Sequence, residues 1–172
     1  MNEAIDNAGG TYSAGFSMPK LIVDTREKLP LEFQHLETVP GTLTTGDYSI
    51  AGFTHRFGAE RKTMADVVAS LTTRREAFFK ELERGRGMDF FRLLVIGTPK
   101  ELREVLERRR ASLESIVGSL CYINANIVPV VTAPSPYKAA QLVERWACYF
   151  YAGAARPFGK FQIPAWCRDG VI

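Results

Sequence analysis

Short apolar runs alternate with amphipathic stretches along most of the chain. The runs at 20–25 (KLIVDT), 90–97 (FFRLLVIG) and 126–133 (NIVPVVTA) have the length of strands, and the second predicts a central strand buried on both faces. Apolar residues at helical spacing predict five helices. The first begins after Thr63, and the other four cover 74–85, 99–110, 112–124 and 135–153.

An antiparallel hairpin is predicted before residue 60. Segments 42–52 and 54–62 are rich in strand-forming residues, with Gly52 near the expected turn. Segment 26–41 contains two prolines and is predicted to be a loop with at most one helical turn. Strands that alternate with helices after such a hairpin indicate an α/β domain, in which a mixed central sheet is flanked by helices on both faces.

The composition is that of one globular domain. The 172 residues are 46% hydrophobic and 24% charged, which suits a single hydrophobic core. A formal net charge of +3 is too small to indicate nucleic-acid binding by itself. Residues 1–18 are polar and Gly-rich and are predicted to form a flexible arm, followed by the folded domain at 19–153 and a C-terminal tail at 154–172.

The cysteines and the apolar runs indicate a cytoplasmic location. Cys121, Cys148 and Cys167 are odd in number and lack the spacing of a zinc site, so reduced thiols are expected. No apolar run is long enough to cross a membrane, and the N-terminus lacks the features of a secretory signal. We therefore expect a prokaryotic or phage protein of the cytoplasm with no membrane partner.

Asp47, Glu60 and Lys62 are the candidates for chemistry. Glu60 and Lys62 are two residues apart, so on a strand they share one face, and Asp47 lies across the hairpin from them. Two acids placed in this way repel each other unless a cation lies between them. Carboxylate oxygens suit Mg²⁺ or Mn²⁺, and a neighbouring lysine can contact a scissile phosphate or help to orient and deprotonate the attacking water.

Each of these residues also has a plain structural interpretation. Gly-Asp is common in turns, Lys62 could be a solvated charge at a strand end, and Asp24 could form an Asx turn after its strand. Asp66 follows Thr63 at the spacing of a helix cap. Arg61 is expected to point away from Glu60 and Lys62 and to make a structural ion pair.

The three motifs together resemble a known family. IVDTRE at 22–27, GDYSI at 46–50 and ERKTMADVVASL at 60–71 are similar in order and spacing to the nuclease domain of the XPF family of structure-specific DNA endonucleases. RLLVIG at 92–97 and TAPSPYKAAQLVERWA at 132–147 extend the resemblance, which covers about 20–153. It implies the three-layer PD-(D/E)XK nuclease fold for the domain at 19–153.

The resemblance also implies roles for individual residues. Asp24, Asp47 and Glu60 match the metal-binding acids, and with the catalytic lysine, Lys62, they form the expected catalytic set. Three further motif residues are expected to support them: Glu27, Arg61 and Asp66.

Basic residues near these motifs are candidates for DNA contacts. Arg26 follows Asp24, and Arg74 and Arg75 begin the helix after the ERK motif. The alternative for the helical arginines is a solvated face, because acids such as Glu76 and Glu81 are interleaved with them.

Aromatic residues crowd the last long helix. They lie on more than one side of it, which favours either a thick core contact or a dimer interface. These residues are Trp146, Tyr149, Phe150 and Tyr151.

The expected function is Mg²⁺- or Mn²⁺-dependent cleavage of DNA, at branched, flapped or forked structures, in a DNA repair setting. The family dimerises through this domain, so a homodimer is expected. A helix-hairpin-helix module usually follows in the family and is not seen here, which leaves room for a separate DNA-binding partner protein. Two alternatives stay open: a catalytically silent DNA-binding or scaffold subunit of a heterodimer, and a restriction-like nuclease of other substrate preference.

Overall fold

A six-stranded mixed sheet with helices on both faces forms the body of the protein. The computed structural model describes residues 4–5, 11–12, 17–155 and 162–168. The strands are β1 (Ala4–Ile5), β2 (Thr11–Tyr12), β3 (Leu21–Asp24), β4 (Thr38–Gly41), β5 (Tyr48–Ile50), β6 (Phe57–Thr63), β7 (Phe90–Ile96) and β8 (Val130–Ala133). The helices are α1 (Met64–Thr72), α2 (Arg75–Arg86), α3 (Pro99–Arg109), α4 (Leu113–Asn126), α5 (Pro136–Ala155) and α6 (Ala165–Arg168).

The strand order in the large sheet is β4-β3-β5-β6-β7-β8. β5 is antiparallel to both of its neighbours, whereas β3–β4, β6–β7 and β7–β8 are parallel pairs. The predicted mixed sheet and the predicted β5–β6 hairpin are therefore confirmed. β1 and β2 pair with each other in a separate antiparallel sheet.

Strand β7 supplies side chains to two hydrophobic cores. Leu94 and Ile96 pack on one face of the sheet with residues of α5, while Leu93 and Val95 pack on the other face with residues of α1, α3 and α4. The two sets alternate along β7 because successive side chains of a strand point to opposite faces of the sheet. It confirms the prediction that this segment is a central strand buried on both faces.

The prediction of a loop over 26–41 is wrong at its end, because Thr38–Gly41 forms strand β4. It pairs in parallel with β3, with Val39 opposite Ile22 and Pro40 opposite Val23. β4 is the edge strand of the sheet, where a proline is tolerated because one side of the strand has no ladder to complete.

The predicted terminal segments are described only in part. Most of the arm at 1–18 lies outside the described residues. Within the tail at 154–172, helix α5 ends at Ala155 and residues 162–168 include the four-residue α6, while 156–161 and 169–172 lie outside the described residues. None of the helices in the described part of the chain combines the length and the apolar composition needed to span a bilayer.

Three of the four aromatic residues late in α5 belong to the core. Trp146, Phe150 and Tyr151 pack against the cluster on the α5 face of the sheet. The Phe150 ring lies 5.3 Å from that of Phe57, between ring centroids. Tyr149 is exposed instead, so the core interpretation holds for the other three residues.

Two glycines in helices predict opposite effects on stability. A Cβ at Gly85 would lie 2.5 Å from the buried Phe91 ring, whereas a Cβ at Gly118 would meet no atom within 4 Å. We expect Gly85→Ala to lower the free energy of unfolding by about 1 to 3 kcal/mol through overpacking. We expect the matched Gly118→Ala to raise it by about 0.5 to 1 kcal/mol, since alanine is the better helix former. Urea unfolding of both variants measures this, and equal effects would contradict the packing of α2 on Phe91.

Candidate active site

Asp47 is held beside strand β6 by its own backbone and side chain. Gly46 has φ +81°, a conformation that suits glycine, and a Cβ there would lie 3.1 Å from the carbonyl oxygen of Ala59. The Asp47 amide donates to the Ala59 carbonyl at 2.8 Å, and Asp47 Oδ2 accepts from the Arg61 amide at 2.7 Å. The Gly-Asp pair thus fixes the carboxylate at the point where β5 begins.

Glu60 and Lys62 lie on one face of β6, as predicted. Lys62 Nζ donates to Glu60 Oε1 at 2.6 Å and lies 3.7 Å from Glu81 Oε2 of helix α2. The same Nζ lies 5.0 Å from the centroid of the Phe78 ring. The side chains of Glu60 and Lys62 are only 5% and 16% exposed, so this ion pair is shielded from water.

Burial raises the pKa values of Asp47 and Glu60. Desolvation raises the pKa of Glu60 to about 8, and the nearby Asp47 carboxylate adds to the effect. Desolvation likewise raises the pKa of Asp47 to about 6, with a contribution from Glu27. For Lys62, burial lowers the pKa, but the surrounding carboxylates outweigh it and the net shift is upward, so Lys62 is an ammonium ion.

Both oxygens of the Asp24 carboxylate are occupied by hydrogen bonds. Its Oδ1 accepts from the amide and Nε of Arg26, both at 2.8 Å. Its Oδ2 accepts from Arg26 Nη2 at 2.9 Å and from the Leu43 amide at 2.7 Å. The Arg26 hydrogen bonds lower the pKa of Asp24 to about 2. A metal can therefore use this carboxylate only if Arg26 moves away.

Arg61 makes the ion pair expected of it. Its side chain contacts the buried carboxylate of Glu27, with Nη2 at 3.2 Å from Oε1. Glu27 Oε1 also accepts from the Leu29 amide at 2.8 Å. The pair links the ERK motif to the loop after β3.

Three other residues proposed from the sequence lie outside this cluster. Asp66 lies in the first turn of α1, where its amide donates to Oγ1 of the N-cap residue Thr63 at 3.2 Å, in agreement with the capping interpretation. Arg75 donates to Ser119 Oγ at 2.8 Å and so ties α2 to α4. Arg74 is exposed ahead of α2.

An open cleft of about 440 Å³ leads to the Asp47 carboxylate. We call it the catalytic cleft. The residues that line it are Asp24, Arg26, Glu27, Lys28, Leu29, Thr44, Thr45, Gly46, Asp47, Arg61, Glu81 and Arg84.

Sequence reasoning missed two charged residues of this cleft, Lys28 and Glu81, and the basic residue Arg84 of α2 also lines it. Glu81 is three residues from the buried Phe78, and Arg84 is three residues further, so they follow one another on neighbouring turns of α2. This spacing from a buried residue could have indicated which side of α2 lines the cleft. The alternating acidic and basic residues of α2 instead favoured a fully solvated face.

Comparison with known proteins identifies the family. A family model described as the ERCC4 domain matches residues 23–145. The chain belongs to the ERCC4 domain family. A comparison with curated protein sequences gives no match.

Solved structures agree with this ERCC4 domain in fold. XPF from Aeropyrum pernix aligns with a TM-score of 0.61 and 21% identity, over 81% of this chain and 69% of that one. XPF from Aeropyrum pernix in complex with DNA aligns with a TM-score of 0.58 and 21% identity, over 81% of this chain and 66% of that one. The fold predicted from the sequence, an α/β nuclease fold with a mixed central sheet, is thereby confirmed.

The donor set of this ERCC4 domain suits a hard divalent cation. Among residues 17–155 and 162–168, no three His, Cys, Asp or Glu side chains form a ready ligand group. Mg²⁺, however, commonly uses one or two carboxylates and completes its shell with water and substrate phosphate. Asp47 and Glu60 supply two buried carboxylates, the charge on Asp47 raises the pKa of Glu60, and a cation would relieve that repulsion.

The raised pKa values predict that the ERCC4 domain is less stable at alkaline pH when divalent ions are removed. An unfolded glutamate ionises near pH 4.5, whereas folded Glu60 holds its proton to about pH 8. The folded state therefore binds more protons in this window, and the free energy of unfolding falls as the pH rises through it, by on the order of a few kcal/mol.

Urea unfolding in EDTA between pH 5 and pH 9 measures the effect. Glu60→Gln removes the titrating group and is expected to flatten the decline, while Glu83→Gln, a matched change at an exposed position of α2, should keep it. A wild-type slope in the Glu60→Gln variant would show that Glu60 is ionised across this range.

Proposed function

We propose that this chain is a metal-dependent DNA endonuclease that hydrolyses phosphodiester bonds at branched, flapped or forked DNA. One observation carries the proposal: in a chain of the ERCC4 domain family, the buried acids Asp47 and Glu60 lie near the Lys62 ammonium, and Asp47 opens onto a cleft. Burial of like charges is costly for stability, and a hydrolytic site is a reason for a fold to keep it.

Asp47 and Glu60 would hold Mg²⁺ or Mn²⁺. The ion, when bound, lowers the pKa of a water molecule and neutralises charge on the phosphate. Asp24 is a further candidate ligand at the rim, available once its Arg26 hydrogen bonds are broken. Mg²⁺ added at pH 8 is accordingly expected to stabilise the wild type against urea.

Lys62 acts as a hydrogen-bond donor and not as a base. Its ammonium lies between Glu60 and Glu81, so its position is fixed before substrate arrives. From there it orients the attacking water or the scissile phosphate, and the water attacks phosphorus in line with the bond that breaks. Arg26, Lys28 and Arg84 at the cleft give positive charge for phosphates along the strand.

Cleavage of labelled DNA tests the assignment. We expect wild-type protein to cut a flap or fork in Mg²⁺ or Mn²⁺ and to lose this activity in EDTA. Asp47→Ala and Lys62→Ala should each reduce the cleavage rate at least about 100-fold, because each removes a group that contacts the reacting atoms. Circular dichroism and urea unfolding should show that both variants remain folded.

Two matched variants control for the change of residue type. Asp89→Ala and Lys80→Ala alter exposed ion pairs away from the cleft and should cut at the wild-type rate. Wild-type cutting by Asp47→Ala or Lys62→Ala would refute the site. Binding without cutting by every protein, wild type included, would favour the silent-subunit alternative, and better cutting of RNA or plain duplex would favour a nuclease of other preference.

We propose in addition that the protein acts as a homodimer through helix α4. The outer side of this helix carries two exposed apolar side chains one turn apart, Leu113 and Val117, with 48% and 43% exposure. Tyr122, with 54% exposure, lies on another side of the same helix. A second copy of the chain, packed on the outer side by twofold symmetry, would cover Leu113 and Val117.

A single charge on α4 is expected to separate the protomers. Val117→Glu places an acid in the apolar surface without disturbing the core, and light scattering should show a monomer where the wild type is a dimer. Tyr137→Glu, at an exposed position of α5, serves as the control and should leave the dimer intact. A monomeric wild type, or a dimeric Val117→Glu, would rule out this interface.

A further inference from the structure

A ridge separates the catalytic cleft from a second cleft of about 550 Å³. The two clefts share Asp24 and Glu27 in their walls, so they lie directly on either side of the loop after β3. We call residues 27–30 the ridge. The second cleft is lined mainly by apolar side chains of this loop and of β4, among them Leu31, Phe33, Leu36 and Val39.

The ridge is fixed at both ends by side-chain hydrogen bonds. On the catalytic side, Glu27 accepts from the Leu29 amide and is itself held by Arg61. On the other side, the Leu31 amide donates to the buried Tyr48 hydroxyl at 2.9 Å. A surface fixed in this way loses little conformational freedom when it binds a ligand.

Glu144 of α5 binds the backbone of the loop that lines the second cleft. Its Oε1 accepts from three successive amides, those of Gln34, His35 and Leu36, at 3.0, 2.6 and 3.0 Å. This carboxylate is 1% exposed. The loop between ridge and β4 is therefore built into the core and not a loose connection.

The top of the ridge presents an apolar side chain to solvent. Leu29 is 74% exposed, the largest exposure among the exposed large hydrophobic residues of the described part of the chain. Lys28 lies beside it on the catalytic side, whereas Glu32 lies in the second cleft. A phosphate is thus favoured on the catalytic side, and an uncharged base is the part of a nucleotide that suits the apolar cleft.

We propose that the ridge separates the two strands of DNA at a branch point. The strand to be cut follows the catalytic cleft, an unpaired base of the other strand enters the second cleft, and Leu29 packs against the base exposed at the branch. Apolar side chains stabilise unstacked bases in this way. The inference rests on the proposed function and makes Leu29 the residue that determines the preference for branched DNA.

Fluorescence of 2-aminopurine, placed in turn in each strand at the branch of a flap, tests the contact in EDTA. Wild-type protein is expected to change the fluorescence in the uncut strand, and Leu29→Ser is expected to abolish the change. Leu29→Met keeps an apolar side chain and should restore it. Tyr149→Ala removes an exposed apolar group that does not line either cleft and should behave as wild type.

Steady-state cleavage in Mg²⁺ provides a second readout. For Leu29→Ser we expect KM for the flap to rise about five- to tenfold, in line with the loss of one base contact, while kcat changes less than about twofold. The rate on plain duplex should fall less than the rate on the flap, so the preference for the branch falls. Thr38→Trp, which fills the second cleft from the edge strand, should have the same effect on KM.

The two proposals fail separately. If the wild type cuts DNA but Leu29→Ser and Thr38→Trp leave both fluorescence and KM unchanged, the ridge proposal is overturned and the nuclease assignment stands. If the wild type cuts nothing but changes the fluorescence through Leu29, the ridge proposal stands and the nuclease assignment is overturned.

Discussion

The site depends on keeping two carboxylates close together and away from water. Asp47 precedes β5 and Glu60 lies on β6, so the pairing of these strands fixes their separation. Desolvation opposes the ionised form of both groups, and Lys62 offsets this effect directly at Glu60. The fold therefore has to be stabilised elsewhere, and the two apolar cores on either face of the sheet supply that stability.

Residues with strong local signals were placed correctly from the sequence. The continuous apolar run at 90–97 predicts β7 and its burial, and Thr63 correctly indicates the start of α1. Strand β4 was missed because Pro40 and Gly41 carry the same local signal as a turn. Its strand character comes from pairing with β3, a long-range contact that local pattern does not contain.

The site was predictable to the extent that it lies in the motif strands. The shared face of Glu60 and Lys62 follows from strand geometry, and so does the placement of Arg61 on the other face, where it pairs with Glu27. Glu81 approaches Lys62 because of how α2 packs, which no local rule specifies. Likewise, Asp24 was correctly placed at the cleft, but its engagement by Arg26 depends on a side-chain conformation in a turn.

The carboxylate of Glu144 makes the second cleft depend on a part of the chain that is synthesised much later. It lies 108 residues after Leu36, yet it holds the loop that supports the ridge and the second cleft. A nascent chain whose α5 is still in the ribosome lacks this support, even when the ERK motif has already emerged. The second cleft is therefore completed only after α5 has left the ribosome and packed on the sheet.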